Sequence, residues 1–167
     1  MNPILHWRGH PWIALLARFY LAWVFLAACW HKILDPHAFA IDVATYQILP
    51  LSLVNLMAIV LPWLELAAAL MLTLGVRVRA AALLVSGMMV IFMVAIGTAL
   101  GRGLEMSCGC FASQGAAEDP ISWKTMARDS IWLAIALYIL LVDTRSLGLE
   151  RLIQRRRALT PPPRPEG

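Results

Sequence analysis

The chain has 167 residues, of which 60% are hydrophobic and only 14% charged, with a mean hydropathy of +0.72. A water-soluble domain is normally about half apolar and about a quarter charged, so the composition excludes an ordinary soluble domain and points to the membrane. The formal net charge of +4 is no nucleic-acid signature, because six of the fourteen basic residues (Arg145, Arg151, Arg155, Arg156, Arg157 and Arg164) follow the last apolar segment. With no glycine-rich phosphate loop, HExxH or GxSxG in the sequence, any chemistry must come from thiols or from ionisable groups inside the bilayer.

In chain order, Met1 to Pro11 is a short polar leader, and residues 12–34 form the first apolar segment. At roughly 20 residues it can cross a hydrocarbon core about 30 Å thick. Residues 37–50 are mixed and are expected at the interface. Apolar segments follow at 51–74, 80–100 and 123–142, with a tight basic turn at Arg77 and Arg79 between the second and third. A chain in lipid must satisfy its backbone internally. The predicted fold is therefore all-α: a polytopic membrane protein built as a four-transmembrane-helix bundle over residues 1–142. Residues 143–167 form a basic, proline-rich tail, expected to be disordered and to hold the anionic inner leaflet through Arg155, Arg156 and Arg157.

The basic residues set the expected orientation. Arg8, Arg77, Arg79 and the six tail arginines stand on one side, against Lys32, Arg102, Lys124 and Arg128 on the other. Both termini are thus expected in the cytoplasm and the long polar loop at 101–122 in the periplasm, where disulfides persist.

That loop holds Cys108 and Cys110, separated only by Gly109. A disulfide between them closes a very small, strained ring, and strain makes the bond easily reduced. A structural staple needs a long loop to constrain, so the spacing suits a redox switch. Cys29 lies toward the same face, near the end of the first span. It reads as a small packing residue, as a resolving thiol for the pair, or, within Leu26-Ala27-Ala28-Cys29, as a lipoprotein-like box. Arg18 interrupts the apolar run and three more spans follow, which argue against lipidation. His31 and His37, with the three cysteines, also permit a soft-metal site, although the spacing names no metal ligand set.

Charges inside spans are costly and usually face the bundle interior or a partner. Arg18 lies ~9 Å from the start of the first span and Glu65 ~14 Å from the end of the second, at 1.5 Å per residue. This near-equal depth predicts that they pair, either to fix helix packing or for a proton or quinone role. Pro62, one turn before Glu65, is placed to kink that helix. Lys124, Arg128 and Asp129 open the fourth span beside the cysteine loop. A guanidinium or ammonium there favours a thiolate and lowers a cysteine pKa. Trp7, Trp12, Trp30 and Trp123 read as an aromatic belt.

Arg18, then Lys32-Ile33-Leu34-Asp35-Pro36, Tyr46-Gln47-Ile48-Leu49-Pro50, Leu61-Pro62-Trp63-Leu64-Glu65-Leu66 and Cys108-Gly109-Cys110-Phe111 occur in an order that resembles the MauE branch of the MauE/DoxX membrane proteins. The likeness runs from about Arg18 to Asp129. It departs at Ala112, where the family pattern has glycine, and Cys29 is not part of it. The resemblance implies a four-helix membrane bundle in redox work. Its client would be a disulfide-rich protein such as the small subunit of methylamine dehydrogenase, with a thioredoxin-like protein as partner. The plan is also similar to quinone-linked disulfide oxidases. If quinone takes the electrons, its pocket is expected between the span tops near the loop, touched by Tyr46, Gln47 or Trp123. The leading expectation is thiol–disulfide exchange through Cys108 and Cys110. The alternatives are a non-catalytic assembly subunit of a membrane oxidase or maturation complex, and soft-metal or thiol-compound transport.

Overall fold

The computed structural model describes residues 10–104, 106, 108–109 and 120–142. The leader through residue 9, Cys110 with the rest of the loop to residue 119, and the tail from residue 143 lie outside the described residues. Among the described residues there are five helices: α1 (His10–Leu34), α2 (Pro36–Thr45), α3 (Leu51–Leu74), α4 (Val78–Gly101) and α5 (Trp123–Val142). Within them, Trp12–Leu34, Leu51–Leu74, Val78–Gly101 and Trp123–Val142 are long and apolar enough to cross a membrane. The expected all-α, four-span architecture is therefore the observed one. Neighbours pack in a closed ring, α1 on α3, α3 on α4, α4 on α5 and α5 back on α1.

The seam of the bundle is made of small residues. Ala68, Ala69, Ala81, Ala82 and Ala136 are fully buried, beside Leu21, Leu72, Val85 and Ile139. Lipid tails are as apolar as leucine, so helices gain from association mainly by close packing, and alanine lets the backbones approach. The large apolar side chains point the other way. Trp12, Leu16, Trp23, Trp30, Ile91 and Trp123 are all exposed on the outside of the bundle, which suits lipid contact.

Short local signals close the helix ends. Gly75 sits at φ 69° after α3 and returns its N–H to Met71 O, the left-handed glycine cap that helices favour. Arg77 adopts φ 46° at the start of α4, so the basic turn is as tight as the sequence implies. Ser122 accepts from Thr125 N at 3.3 Å and caps α5.

α2 is the element the sequence reading passed over as mixed interface. Its signal was present: Asp35 accepts from Ala38 N at 2.9 Å, and Pro36 takes the first helical position. An aspartate N-cap followed by proline is a standard helix start. α2 packs on α3 and carries Phe39 and Asp42, both buried, to the end of the bundle where the cysteine loop lies.

Candidate functional site

The cysteine loop is tied at its base. Ile121 N donates to Met106 O at 3.1 Å, and Met106, Cys108 and Ile121 pack with Tyr46, Ile96 and Ala99. Tyr46, just past α2, donates its hydroxyl to Cys108 O at 3.0 Å. Arg102 in turn holds Tyr46 O at 3.4 Å and Gln47 Oε1 at 2.9 Å. Cys108 is thus fixed by its own backbone, and it is only 1% exposed.

Arg128, in the second turn of α5, points Nη2 at Cys108 Sγ across 3.8 Å. Its Nε is bonded to Asp129 Oδ1 at 3.1 Å, and its guanidinium lies 4.8 Å from the centre of the Trp132 ring. Carboxylate and ring face hold the cation in place, leaving one edge for the sulfur. Of the charges expected beside the loop, Arg128 is the one the structure brings to Cys108. Lys124 is exposed, and Asp129, fully buried, acts on Arg128.

Replacing that edge tests its role. Arg128→Gln should slow thiol exchange at Cys108 by roughly tenfold, the kinetic equivalent of losing one charge-assisted hydrogen bond of about 1.5 kcal/mol. The check is the rate at which a small thiol reduces the oxidised loop, with Arg128→Lys recovering part of the loss.

Gly109 is also buried and adopts φ +67°. It lies against α2, where a Cβ would come within 3.0 Å of Asp42 Cβ and 3.1 Å of Asp42 Oδ2. His31 approaches the Gly109 backbone and the Asp42 carboxylate from α1. Its ring nitrogens are buried with no hydrogen-bond partner among the described residues. Asp42 was absent from the sequence-based site because no motif marks a lone aspartate in an interfacial stretch.

The expected Arg18–Glu65 pair is not formed. Glu65 is bound by Lys32, whose Nζ lies 2.7 Å from Oε1 and 3.0 Å from Oε2. Arg18 instead donates to Leu72 O from Nη2 at 2.9 Å and Nε at 3.3 Å, serving a carbonyl in the last turn of α3 where helices leave acceptors unsatisfied. Side-chain direction explains the exchange. A Cα–Cβ bond leans toward its own helix N-terminus. α1 and α3 run antiparallel, so Glu65 leans toward the end where α1 finishes and Arg18 leans away from it. Lys32, near that finish, leans back and meets Glu65. Lys32 is accordingly no loop cation: it is 4% exposed, with Phe39 of α2 stacked 4.9 Å from its ammonium. Pro62 lies buried inside α3, one turn before Glu65.

Between this ion pair and Gly109 lies a partly open cavity of about 60 Å³. Lys32, Glu65, Phe39, Phe92, Trp132 and Gly109 are among its walls. Tyr46, Gln47 and Trp123 are not among the walls of this cavity. Tyr46 and Gln47 are engaged with the loop and Arg102, and Trp123 is 76% exposed.

Cys29 is buried in α1 as a free thiol, its Sγ 3.3 Å from Leu26 O one turn earlier. This is the packing arrangement of a small helical residue. Cys110 lies outside the described residues. Among the described residues no group of three His, Cys, Asp or Glu side chains is placed to hold a metal ion, and His37 is exposed.

Comparison with known proteins bears on the same residues. The family described as methylamine utilisation protein MauE matches residues 10–142. The chain is similar to the methylamine utilization protein MauE of Paracoccus denitrificans, 29% identical over 77% of this chain and 69% of that protein. The corresponding protein of Methylophilus methylotrophus is 36% identical over 60% of this chain and 53% of its own length. That of Methylorubrum extorquens is 33% identical over 78% and 69%. No solved structure matches the chain. A family match spanning all five helices, on a bundle with four membrane-length apolar helices, means that this multi-pass membrane protein belongs to the MauE family.

Proposed function

We propose that this protein is the membrane component of a thiol–disulfide exchange system that introduces disulfides into a client on the far side of the bacterial inner membrane. Both termini face the cytoplasm and the cysteine loop faces the periplasm, in keeping with the excess of arginine on the terminal side. The relatives' names point to methylamine utilisation, and a disulfide-rich subunit of a methylamine-oxidising enzyme is a fitting client. A thioredoxin-like protein is the direct exchange partner.

The observation that carries this reading is the buried Cys108 sulfur with the Arg128 guanidinium 3.8 Å away. A buried sulfur cannot be met by a partner protein's cysteine, so Cys110 is assigned the external exchange and Cys108 the internal one. A thiolate of the partner attacks Cys110 Sγ. The Cys108–Cys110 bond breaks, and Cys108 leaves as a thiolate with Arg128 beside it. The partner's second thiolate then attacks the partner sulfur in the mixed disulfide and releases Cys110 as a thiolate. The partner has lost two electrons and carries a disulfide, and the loop has gained both electrons as a dithiol.

Trapping tests this directly. In Cys108→Ser protein, Cys110 should form a lasting mixed disulfide with a partner whose second cysteine is replaced and whose first is activated as an aryl disulfide, the aryl thiolate leaving, and client oxidation should stop while protein level and insertion stay normal. Cys110→Ser should trap nothing. Unchanged client oxidation in Cys108→Ser would leave the assembly-subunit role as the function. Equal trapping by both variants would overturn the division of labour between the two sulfurs.

A further inference from the structure

We infer that His31 is a protonation-dependent clasp on the redox loop: once its ring takes up a proton, it grips the Gly109 carbonyl and the Asp42 carboxylate together and so holds Cys108 at Arg128. The clasp rests on the exchange reading for its purpose, while its contacts need no exchange partner.

His31 stands in the last turn of α1. The groups that act on its ring as acceptors are the backbone carbonyls of Gly109 and Ala27 and the carboxylate of Asp42. Yet both ring nitrogens are buried with no hydrogen-bond partner among the described residues. Buried polar groups are nearly always bonded, and one left open calls for a reason. A neutral imidazole has one N–H and one lone pair, whereas the imidazolium has two N–H donors. Acceptors give nothing to the lone pair of the neutral ring. They suit the protonated ring, which donates to the loop with one nitrogen and to α2 with the other.

The charges on the neighbouring elements are otherwise engaged. Lys32, the next residue, also acts on the ring, but its ammonium is bound to both oxygens of Glu65 on α3. On α5, Arg128 and Asp129 hold each other. Arg102, at the end of α4, is taken by Tyr46 and Gln47. Asp42 of α2 is the carboxylate that acts on the ring. Imidazole changes its charge near neutral pH, with an ordinary pKa of about 6.5, so the clasp opens and closes within the ordinary pH range.

The position of the grip gives the clasp its effect. Gly109 separates the two cysteines. On one side of it, the Cys108 carbonyl accepts from the Tyr46 hydroxyl at 3.0 Å, a tie that a phenol keeps throughout this range because its pKa is about 10. On the other side, the Gly109 carbonyl belongs to the peptide bond that leads to Cys110. Tyr46 is thus a permanent tie and His31 a switchable one, on successive carbonyls. Gly109 is already pressed on α2, since an added Cβ would meet Asp42 Oδ2 at 3.1 Å. Loop backbone and carboxylate are therefore close enough for one ring to join both. With the second tie closed, Cys108 Sγ stays 3.8 Å from Arg128 Nη2, where the cation receives the departing thiolate.

The test uses the full chain in lipid bilayers. A small thiol reduces the oxidised loop at values between about pH 5 and pH 8, in the parent and in His31→Gln, which stays polar but does not titrate. The ratio of the two rates cancels the reductant's own titration. It should be near unity at the alkaline end and rise to about tenfold at the acid end, the effect of one charge-assisted hydrogen bond. Asp42→Asn, which keeps the shape and removes the charge, should lose most of that acid gain, and adding His31→Gln to it should cost nothing further. A ratio that stays flat with pH, or that falls below unity in acid, overturns the clasp. So does an undiminished acid gain in Asp42→Asn. Solid-state NMR with ring-nitrogen-labelled histidine and carbonyl-labelled glycine reads the contact without using the thiols. The histidine signal that is absent from His31→Gln should turn from imidazole to imidazolium on acidification and then show dipolar contact with a glycine carbonyl. A ring that stays neutral, or that takes the proton without this contact, refutes the clasp and leaves the exchange function standing. A loop that forms no reducible disulfide removes the exchange function instead, and the labelled contact still decides the clasp.

Discussion

Glu65→Leu alone should destabilise the bundle by about 3–5 kcal/mol, and Lys32→Met/Glu65→Leu should return it to near the parent value. The two residues are 7% and 4% exposed and each is the other's charged partner. Removing the carboxylate leaves the Lys32 ammonium buried with only the Phe39 ring against it. A cation–π contact contributes on the order of 0.5–2 kcal/mol, too little to offset the desolvation of a lone charge. Removing both charges removes the penalty along with the attraction, and apolar side chains of similar volume can pack in their place. The measurement is a double-mutant cycle on reversible unfolding in mixed micelles. A double variant as unstable as the single one would mean that the pair fixes helix packing in a way methionine and leucine cannot. Recovery of stability would mean that the pair's charges are not what holds the helices together.

The parts of this protein that follow from long-range composition were legible in the sequence, and the parts that follow from side-chain direction were not. Four apolar runs of twenty residues or more specify four spans, because lipid imposes the same demand on every backbone group, and the observed helices begin and end close to those runs. Pairing charges by counting from span ends failed because the count locates Cα atoms, whereas Arg18 and Glu65 reach in opposite directions from theirs. Lys32 was hidden by its position two residues before the end of α1, where a lysine ordinarily reads as an interfacial cation. α2 was missed although Asp35-Pro36 marks its start, because a ten-residue helix without a strong apolar stripe is easily taken for an interfacial turn. The cysteine spacing identified Cys108, and the expectation of a cation beside it identified Arg128. Nothing local to either residue foretells that Tyr46 and Asp42, more than sixty positions earlier, provide the seat for the loop.

That seat makes Gly109 the least replaceable position in the described part of the loop. Gly109→Ala should lower exchange through the cysteine pair by about 10²-fold, the effect expected when reacting groups move by about an ångström, while the bundle itself stays folded. Two causes act together. At φ +67° any side chain is strained, by roughly 1–2 kcal/mol for an ordinary L-residue. A methyl group there would also sit 3.0 Å from Asp42 Cβ, too close for either atom. Asp42 cannot readily withdraw, being buried on a helix that packs against α3. The loop must yield instead, taking Cys108 away from Tyr46 and Arg128. Gly109→Asn divides the two causes, since asparagine tolerates the left-handed conformation but brings the same Cβ. Parent-like exchange in Gly109→Asn would mean that conformation alone selects glycine. Exchange as slow as in Gly109→Ala, the expected result, means that contact with α2 does, and that the short helix at the mouth of the bundle holds the redox loop at its working distance from Arg128.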